Sequence, residues 1–165
     1  MHAFIEWTMK ILKIGDKAPG FRLPSTEKNY VSLSDFEGKK VVLLFFPMAF
    51  TGVCTKELCM MRDDIARYAH INAEVIAISV DSYFTLAKYK ELNELNFTLL
   101  SDFNKEVSRA YGCLYEEFAL GLKGVSKRSA FVIDSEGQIR YEEILENAGE
   151  LPNFDAIQKL LETLK

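Results

Sequence analysis

The residues of this sequence best placed for chemistry are Pro47, Thr51 and Cys54. A cysteine thiolate is a nucleophile, and a threonine hydroxyl can cap a helix or donate a hydrogen bond to a thiolate or a substrate oxygen. A proline beside them would wall one side of a pocket and exclude water from it. The spacing allows two interpretations: a reactive thiol, or a buried structural cysteine under an ordinary capping threonine.

The elements on either side of this stretch favour the reactive thiol. Residues 41–46 form an unbroken apolar run, which predicts a strand covered on both faces, and Pro47 ends that strand. After Gly52 the apolar residues recur at mostly helical spacing, so Cys54 falls in the first turn of a helix. The N–H groups and the dipole at a helix start favour a negative charge, and therefore the thiolate.

Two charged residues elsewhere in the sequence could complete such a site. Arg128 begins an otherwise apolar strand, where a permanent cation could hold Cys54 as thiolate and stabilise charge on a substrate oxygen. The alternative for Arg128 is a solvated charge at a strand end, beside Lys127. Glu57 lies one helical turn after Cys54, and its alternative is a first-turn acid favoured only by the helix dipole.

The spacing Pro-x-x-x-Thr-x-x-Cys resembles the active-site signature of the peroxiredoxins, and residues 127–134 look like the later strand that carries their active-site arginine. The likeness covers most of the chain. It implies a thiol-dependent peroxidase that reduces hydrogen peroxide and organic hydroperoxides and needs no metal, haem or flavin. It also implies that Cys54 is the peroxidatic cysteine, that Glu57 orients Arg128 through an ion pair, and that a thioredoxin- or glutaredoxin-like reductant recycles the enzyme.

The resolving cysteine is open between Cys59 and Cys113. In the Q-type, or bacterioferritin-comigratory, peroxiredoxins the resolving cysteine lies five residues after the peroxidatic one, as Cys59 does here. The stretch from Pro47 to Cys54 looks closer to the E-type group, many of which resolve without a cysteine at that offset. Five residues of helix separate two Cα atoms by about 8–9 Å, whereas a disulfide needs ~4.4–6.8 Å. A Cys54–Cys59 bridge would therefore require the first turns of the helix to unwind.

The order of the predicted elements indicates an α/β fold, with a mixed sheet and helices on both faces. Its last two strands form a hairpin, and the resemblance implies a thioredoxin-like fold with extra N-terminal strands. No repeat, low-complexity tract or linker interrupts residues 1–165, which predicts a single domain whose residues 1–13 are an N-terminal extension. The predicted strands cover residues 21–23, 29–33, 41–46, 73–81, 97–100, 128–133 and 138–145, and the later helices cover residues 82–95, 104–111 and 153–164.

The composition of the sequence limits the binding partners and the cellular compartment that we expect for the protein. A net charge of −4 argues against nucleic acid, which attracts clustered Lys and Arg. No apolar run approaches the ~20 residues that span a membrane, and the first residues lack the apolar core of a signal peptide. Three cysteines without Cys-x-x-Cys spacing indicate neither a secreted disulfide scaffold nor a zinc site. We therefore expect a cytoplasmic protein that is a monomer or a homodimer.

Two other functions would use the same thiol. A general thiol–disulfide oxidoreductase on this fold usually carries Cys-x-x-Cys and a proline before its penultimate strand, and the sequence has neither. A non-enzymatic peroxide sensor would need the oxidation of Cys54 but not rapid turnover. The rate of the reaction with peroxide separates that second alternative from a peroxidase.

Overall fold

A five-stranded mixed sheet forms the centre of the computed structural model, which describes residues 11–165. Its strand order is β5-β4-β3-β6-β7. These strands are β3 (Lys40–Phe45), β4 (Ala73–Ser79), β5 (Thr98–Ser101), β6 (Ser129–Ile133) and β7 (Ile139–Ile144). Two short strands before them pair with each other as a separate antiparallel ribbon, β1 (Arg22–Pro24) and β2 (Tyr30–Ser32).

The middle strand of the sheet, β3, is buried along its whole length. It runs parallel to β4 on one side and antiparallel to β6 on the other. The antiparallel register pairs Phe45 with Ser129, so the end of β3 and the start of β6 meet at the same edge of the sheet. This edge therefore collects the loop after β3, the end of β4 and the residue that precedes β6.

Within residues 11–165, four α-helices connect and cover the strands, namely α1 (Gly52–His70), α2 (Tyr83–Leu92), α3 (Glu106–Ala110) and α4 (Phe154–Thr163). Two of their predicted N-caps are confirmed. The Ser82 side chain accepts a hydrogen bond from the Thr85 N–H, and the Asn153 side chain accepts one from the Ala156 N–H. Each satisfies a backbone donor that the first helical turn leaves free.

The sheet separates two hydrophobic cores. One face packs against α1, α2 and α4 through buried residues such as Leu58, Leu86 and Ile157. The other face packs against α3 and the N-terminal segments, and it includes Leu12 and Cys113. The predicted mixed sheet with helices on both faces and added N-terminal strands is confirmed.

The chain outside the predicted elements also has structure. Residues 112–127 contain a short 3-10 turn, Ala119–Gly121, and a bridge between Leu114 and Ser126.

Of the expected N-terminal extension, residues 1–10 lie outside the described residues, and the side chain of Leu12 is buried in the core. Within residues 11–165 no helix is both long and apolar enough to cross a membrane.

Helix α4 is held to the sheet by Ile157, which is fully buried. We expect Ile157→Ala to lower the free energy of unfolding by about 2–5 kcal/mol, because the change removes buried methyl groups and leaves a cavity. Lys159→Ala, at an exposed position of the same helix, should change it by less than about 0.5 kcal/mol. Urea unfolding of both variants measures the difference, and equal losses would contradict the packing of α4.

Candidate active site

The thiol of Cys54 lies in the first turn of α1, at the edge of the sheet where β3 ends. Residues 46–51 connect the two elements, and Pro47 in this loop is buried. The first backbone bond inside the helix runs from the Thr55 N–H to the Thr51 carbonyl, at 3.0 Å. Cys54 itself is only 1% exposed. The unpaired N–H groups and the positive end of the helix dipole therefore lie at this buried sulfur.

The guanidinium of Arg128 is the cation nearest to this sulfur. Its Nη2 donates a hydrogen bond to Cys54 Sγ at 3.3 Å, and its Nε and Nη2 donate to the Ala148 carbonyl at 3.2 and 3.0 Å. The side chain is 1% exposed, so water scarcely screens its charge. The structure thus brings Arg128 to Cys54 across 74 residues of sequence.

Glu57 is the counterion of Arg128. It is buried one turn after Cys54 in α1, and its Oε2 accepts a hydrogen bond from Arg128 Nη1. Burial raises the pKa of Glu57 to about 7, although the charge and the hydrogen bond of Arg128 act in the opposite direction. The pKa of Arg128 is raised, because the charges of Glu57 and Cys54 outweigh the effect of its burial.

The hydroxyl of Thr51 does not cap the helix. Thr51 occupies the N-cap position, but its Oγ1 donates to the Met48 carbonyl at 2.7 Å and accepts nothing from the helix backbone. The expected cap by the Thr51 hydroxyl is therefore wrong, because the side chain is oriented toward the Met48 carbonyl and not toward the N–H groups of the helix. The only hydroxyl proton is used in this bond, so the lone pairs of Oγ1 are what the exposed side chain presents to a ligand.

Cys59 lies in the same helix as Cys54 and does not contact it. Helix α1 runs without interruption from Gly52 to His70, so the two Cα atoms are separated by the expected distance of about 8–9 Å. The half-buried Cys59 thiol approaches Asn93 Oδ1 at 3.9 Å. All three cysteines are free.

Cys113 lies in the core on the opposite face of the sheet from Cys54. Its side chain is fully buried beside Tyr111, and burial raises the pKa of its thiol. A thiol in that environment keeps its proton and is a poor nucleophile.

Sequence reasoning missed two contacts that shape the site. The Ala148 carbonyl that holds Arg128 comes from the loop after β7, and a backbone acceptor leaves no signal in side-chain patterns. The second contact is made by Tyr89 in α2, whose hydroxyl donates to Thr55 Oγ1 at 3.1 Å and whose ring packs 5.1 Å from that of Phe50. Burial raises the pKa of Tyr89 to about 12, so the hydroxyl keeps the proton that it donates.

The described residues offer no alternative centre built on a metal. Across residues 11–165, no group of three or more His, Cys, Asp or Glu side chains could hold a metal ion. What the site combines is a buried sulfur, a buried cation in contact with it, and a carboxylate that holds the cation.

Comparison with known proteins agrees with this chemistry. Residues 14–142 match the AhpC/TSA family. The chain is 37% identical over 135 residues to peroxiredoxin Bcp of Escherichia coli K12, covering 81% of this chain and 86% of that protein. It is 36% identical over 153 residues to the mitochondrial thioredoxin-dependent peroxide reductase of Bos taurus, covering 88% of this chain and 56% of that protein.

A solved structure gives the same result for the fold. The crystal structure of peroxidoxin BcpB from Mycobacterium tuberculosis is similar to this structure with a TM-score of 0.82, at 30% identity over 93% of this chain and 99% of that one. The strand order and the helices of the present structure are consistent with that similarity. The chain therefore belongs to the AhpC/TSA family and is a peroxiredoxin, a thiol-dependent peroxidase with a thioredoxin-like fold.

Proposed function

We propose that Cys54 is the peroxidatic cysteine, and that it reduces hydrogen peroxide and organic hydroperoxides. The observation that carries this proposal is the hydrogen bond from Arg128 Nη2 to Cys54 Sγ, at 3.3 Å in a buried site. A cation in contact with sulfur stabilises the thiolate, which is the nucleophile. Its position at the start of α1 acts in the same direction.

The reaction is an attack of the thiolate on one oxygen of the peroxide. A sulfur–oxygen bond forms as the oxygen–oxygen bond breaks, so that sulfur is oxidised by two electrons and the peroxide is reduced. The second oxygen leaves with the electron pair of the broken bond, takes a proton, and becomes water or an alcohol. Cys54 is left as a sulfenic acid.

Arg128 stabilises charge on both sides of this step. Before it the guanidinium faces the thiolate, and during it the same group faces the negative charge that develops on the leaving oxygen. Glu57 and the Ala148 carbonyl hold the guanidinium from its other sides. Because these contacts exist before a peroxide binds, the donor needs little rearrangement at the moment of reaction.

Thr51 and Pro47 shape the space where the peroxide binds. With its proton bonded to the Met48 carbonyl, Thr51 Oγ1 can accept a hydrogen bond from the O–H of a hydroperoxide. Pro47 is buried and has no N–H, so it adds an apolar wall beside the sulfur. We assign both residues to substrate positioning rather than to proton transfer.

We assign resolution to Cys59. Its thiolate attacks the sulfenic sulfur of Cys54, a disulfide forms as the sulfur–oxygen bond breaks, and the hydroxide that leaves takes up a proton to become water. A dithiol reductant of the thioredoxin or glutaredoxin type then reduces the disulfide, and the name of the Bos taurus relative supports a thioredoxin. Cys113 is a weaker candidate, because it lies on the opposite face of the sheet with a raised pKa.

Free cysteines and a reductant of this kind fit a reducing compartment, and we propose a cytoplasmic location. The general oxidoreductase alternative is disfavoured, because the first and second cysteines of α1 are five positions apart rather than three. The sensor alternative differs in its kinetics, since a peroxidase must turn over many equivalents of peroxide with a thiol reductant.

Cys54→Ser tests the nucleophile. We expect it to abolish peroxide consumption, because a serine hydroxyl is not ionised near neutral pH. Cys113→Ala is the matched control, and once its fold is verified by circular dichroism it should retain the activity. Peroxide loss is followed in the presence of dithiothreitol. Activity that survives in Cys54→Ser would rule out this residue as the nucleophile.

Arg128→Met tests the cation, with a side chain of similar length and no charge. We expect a smaller fraction of Cys54 thiolate at neutral pH and a rate constant for hydrogen peroxide lower by about 10²–10³-fold, because a preorganised donor is lost. Thiolate absorbance and rapid mixing measure the two effects. Lys127→Met is the control, because Lys127 pairs with Glu146 at 2.6 Å and, within residues 11–165, donates no hydrogen bond to Cys54. Equal behaviour of the two variants would count against Arg128.

Cys59→Ser tests resolution. The first peroxide equivalent should react at the wild-type rate, after which excess peroxide should carry Cys54 to the sulfinic state, because no internal thiol traps the sulfenic acid. Mass spectrometry of the oxidised wild-type protein should show a Cys54–Cys59 disulfide. A Cys54–Cys113 bridge, or normal recycling of Cys59→Ser by thioredoxin, would show that a thiol other than Cys59 resolves the sulfenic acid.

A further inference from the structure

The carboxylate of Asp81 contacts the loop that leads into the active-site helix. Its Oδ2 accepts a hydrogen bond from the backbone N–H of Ala49 at 2.9 Å and another from the Ser79 hydroxyl at 2.7 Å. Ala49 lies midway between Pro47 and Thr51, the two residues assigned above to positioning the peroxide. Asp81 therefore touches the peroxide-binding loop from the segment that follows β4, without itself belonging to that loop.

The carboxylate is fixed in place by the strands behind it. Ser79, which ends β4, is fully buried, and its Oγ accepts a hydrogen bond from the Asp81 N–H at 3.2 Å. The Asp81 carbonyl accepts a further bond from the hydroxyl of Ser101 in β5, at 2.6 Å. An acceptor tied at side chain and backbone to β4 and β5 is a rigid anchor for whatever it binds.

Backbone hydrogen bonding between β3 and β4 stops just before the loop of residues 47–51, so other contacts must hold the loop in place. The last bond of that ladder joins the Phe46 N–H to the Ile78 carbonyl at 3.0 Å, and Pro47 has no N–H with which to continue it. The backbone then passes through a left-handed conformation at Phe50, with φ of +66°. A non-glycine residue adopts this conformation at a cost, and it persists where the surroundings fix it.

Contacts on both sides of Phe50 fix its left-handed backbone conformation. On the side of Ala49 the backbone is held by Asp81, and on the side of Thr51 the hydroxyl bond to Met48 closes the turn. The ring of Phe50 packs 5.1 Å from that of Tyr89 in α2. Of these contacts, the one to Asp81 connects the backbone of the loop to the segment that follows β4.

We propose that Asp81 is a positioning residue for the peroxide reaction. Its hydrogen bond to Ala49 holds the strained loop so that Thr51 and the wall at Pro47 face the Cys54 sulfur at the distances that a bound peroxide requires. Asp81 does not touch the sulfur and takes no part in proton transfer. The inference rests on the proposed role of Cys54, and it adds a residue that determines how the loop beside that thiol is presented.

Asp81→Ala separates positioning from thiol reactivity. We expect the second-order rate constant for hydrogen peroxide at Cys54 to fall by about 10–100-fold, because a loop displaced by a fraction of an ångström no longer orients the peroxide. The rate of Cys54 alkylation by iodoacetamide should change by less than about threefold, because that reaction uses the thiolate but not the bound-peroxide geometry. Rapid mixing, acid quench and mass spectrometry of the Cys54 peptide measure both.

Two variants control for a general structural effect. Asp134 is a matched aspartate, since its Oδ1 accepts hydrogen bonds from the Glu136 and Gln138 N–H groups at 3.0 and 2.9 Å, in a turn at the far end of β6 from Arg128. Asp134→Ala should lose stability and keep the peroxide rate constant. Asp81→Asn should restore most of the rate, because an amide oxygen can still accept from Ala49 and Oδ1 makes no hydrogen bond to the described residues.

If Asp81→Ala does not fold, Ser79→Ala carries the test. It removes one hydrogen bond that orients the carboxylate, and it should lower the peroxide rate constant by about three- to tenfold with alkylation unchanged. A peroxide rate equal to that of wild type in the folded variant, or equal losses in the peroxide and iodoacetamide reactions, overturns the proposal. Failure of the proposed function is a separate result, because it would appear as an inert Cys54 in the wild-type protein.

Discussion

A buried guanidinium is the constraint on which the rest of this structure depends. Removing a cation from water costs several kcal/mol, and it is tolerated only where partners with good geometry surround it. Arg128 has three such partners: the Cys54 sulfur, the Glu57 carboxylate and the Ala148 carbonyl. They come from the first turns of α1 and from the loop after β7. The cation therefore requires that distant parts of the chain meet at one edge of the sheet.

The register of β3 against β6 brings these distant parts of the chain together. Pairing of Phe45 with Ser129 places the residue before β6 beside the loop after β3. A slip by one residue would turn Arg128 to the other face of the sheet, because side chains alternate along a strand. The same central position of β3 brings the end of β4, and with it Asp81, to the other side of the loop. The pairing of β3 with β6 and with β4 thus determines which parts of the chain meet at the site.

This dependence explains how far the sequence could predict the structure. Apolar runs and cap residues are local signals, so the strands, the helices and the caps at Ser82 and Asn153 were predictable. The pairing of Arg128 with Glu57 and Cys54 was expected from the resemblance, since 71 and 74 residues separate the partners in sequence. The contact of Asp81 with Ala49 and the actual partner of the Thr51 hydroxyl could not be predicted, because each depends on the path of one loop in three dimensions.

Helix α1 must be folded for Glu57 to contact Arg128, but its first turns must unwind for the proposed disulfide to form. Glu57 lies between Cys54 and Cys59, so unwinding that brings the two sulfurs together also withdraws the buried carboxylate from Arg128. Leaving the buried charge of Arg128 without its counterion costs about 3–5 kcal/mol, which favours the folded helix while Cys54 is reduced. Downstream, Arg62 Nη1 donates to the Asn93 carbonyl at 2.7 Å, and Asn96 Nδ2 donates to the Arg62 carbonyl at 3.2 Å. These bonds fix α1 to the C-terminal end of α2, so we expect the proposed unwinding to be confined to the turns before Arg62. In the proposed cycle, the helical geometry in which Arg128 contacts Cys54 and the unwound geometry that forms the Cys54–Cys59 disulfide therefore exclude each other, and oxidation of Cys54 selects between them.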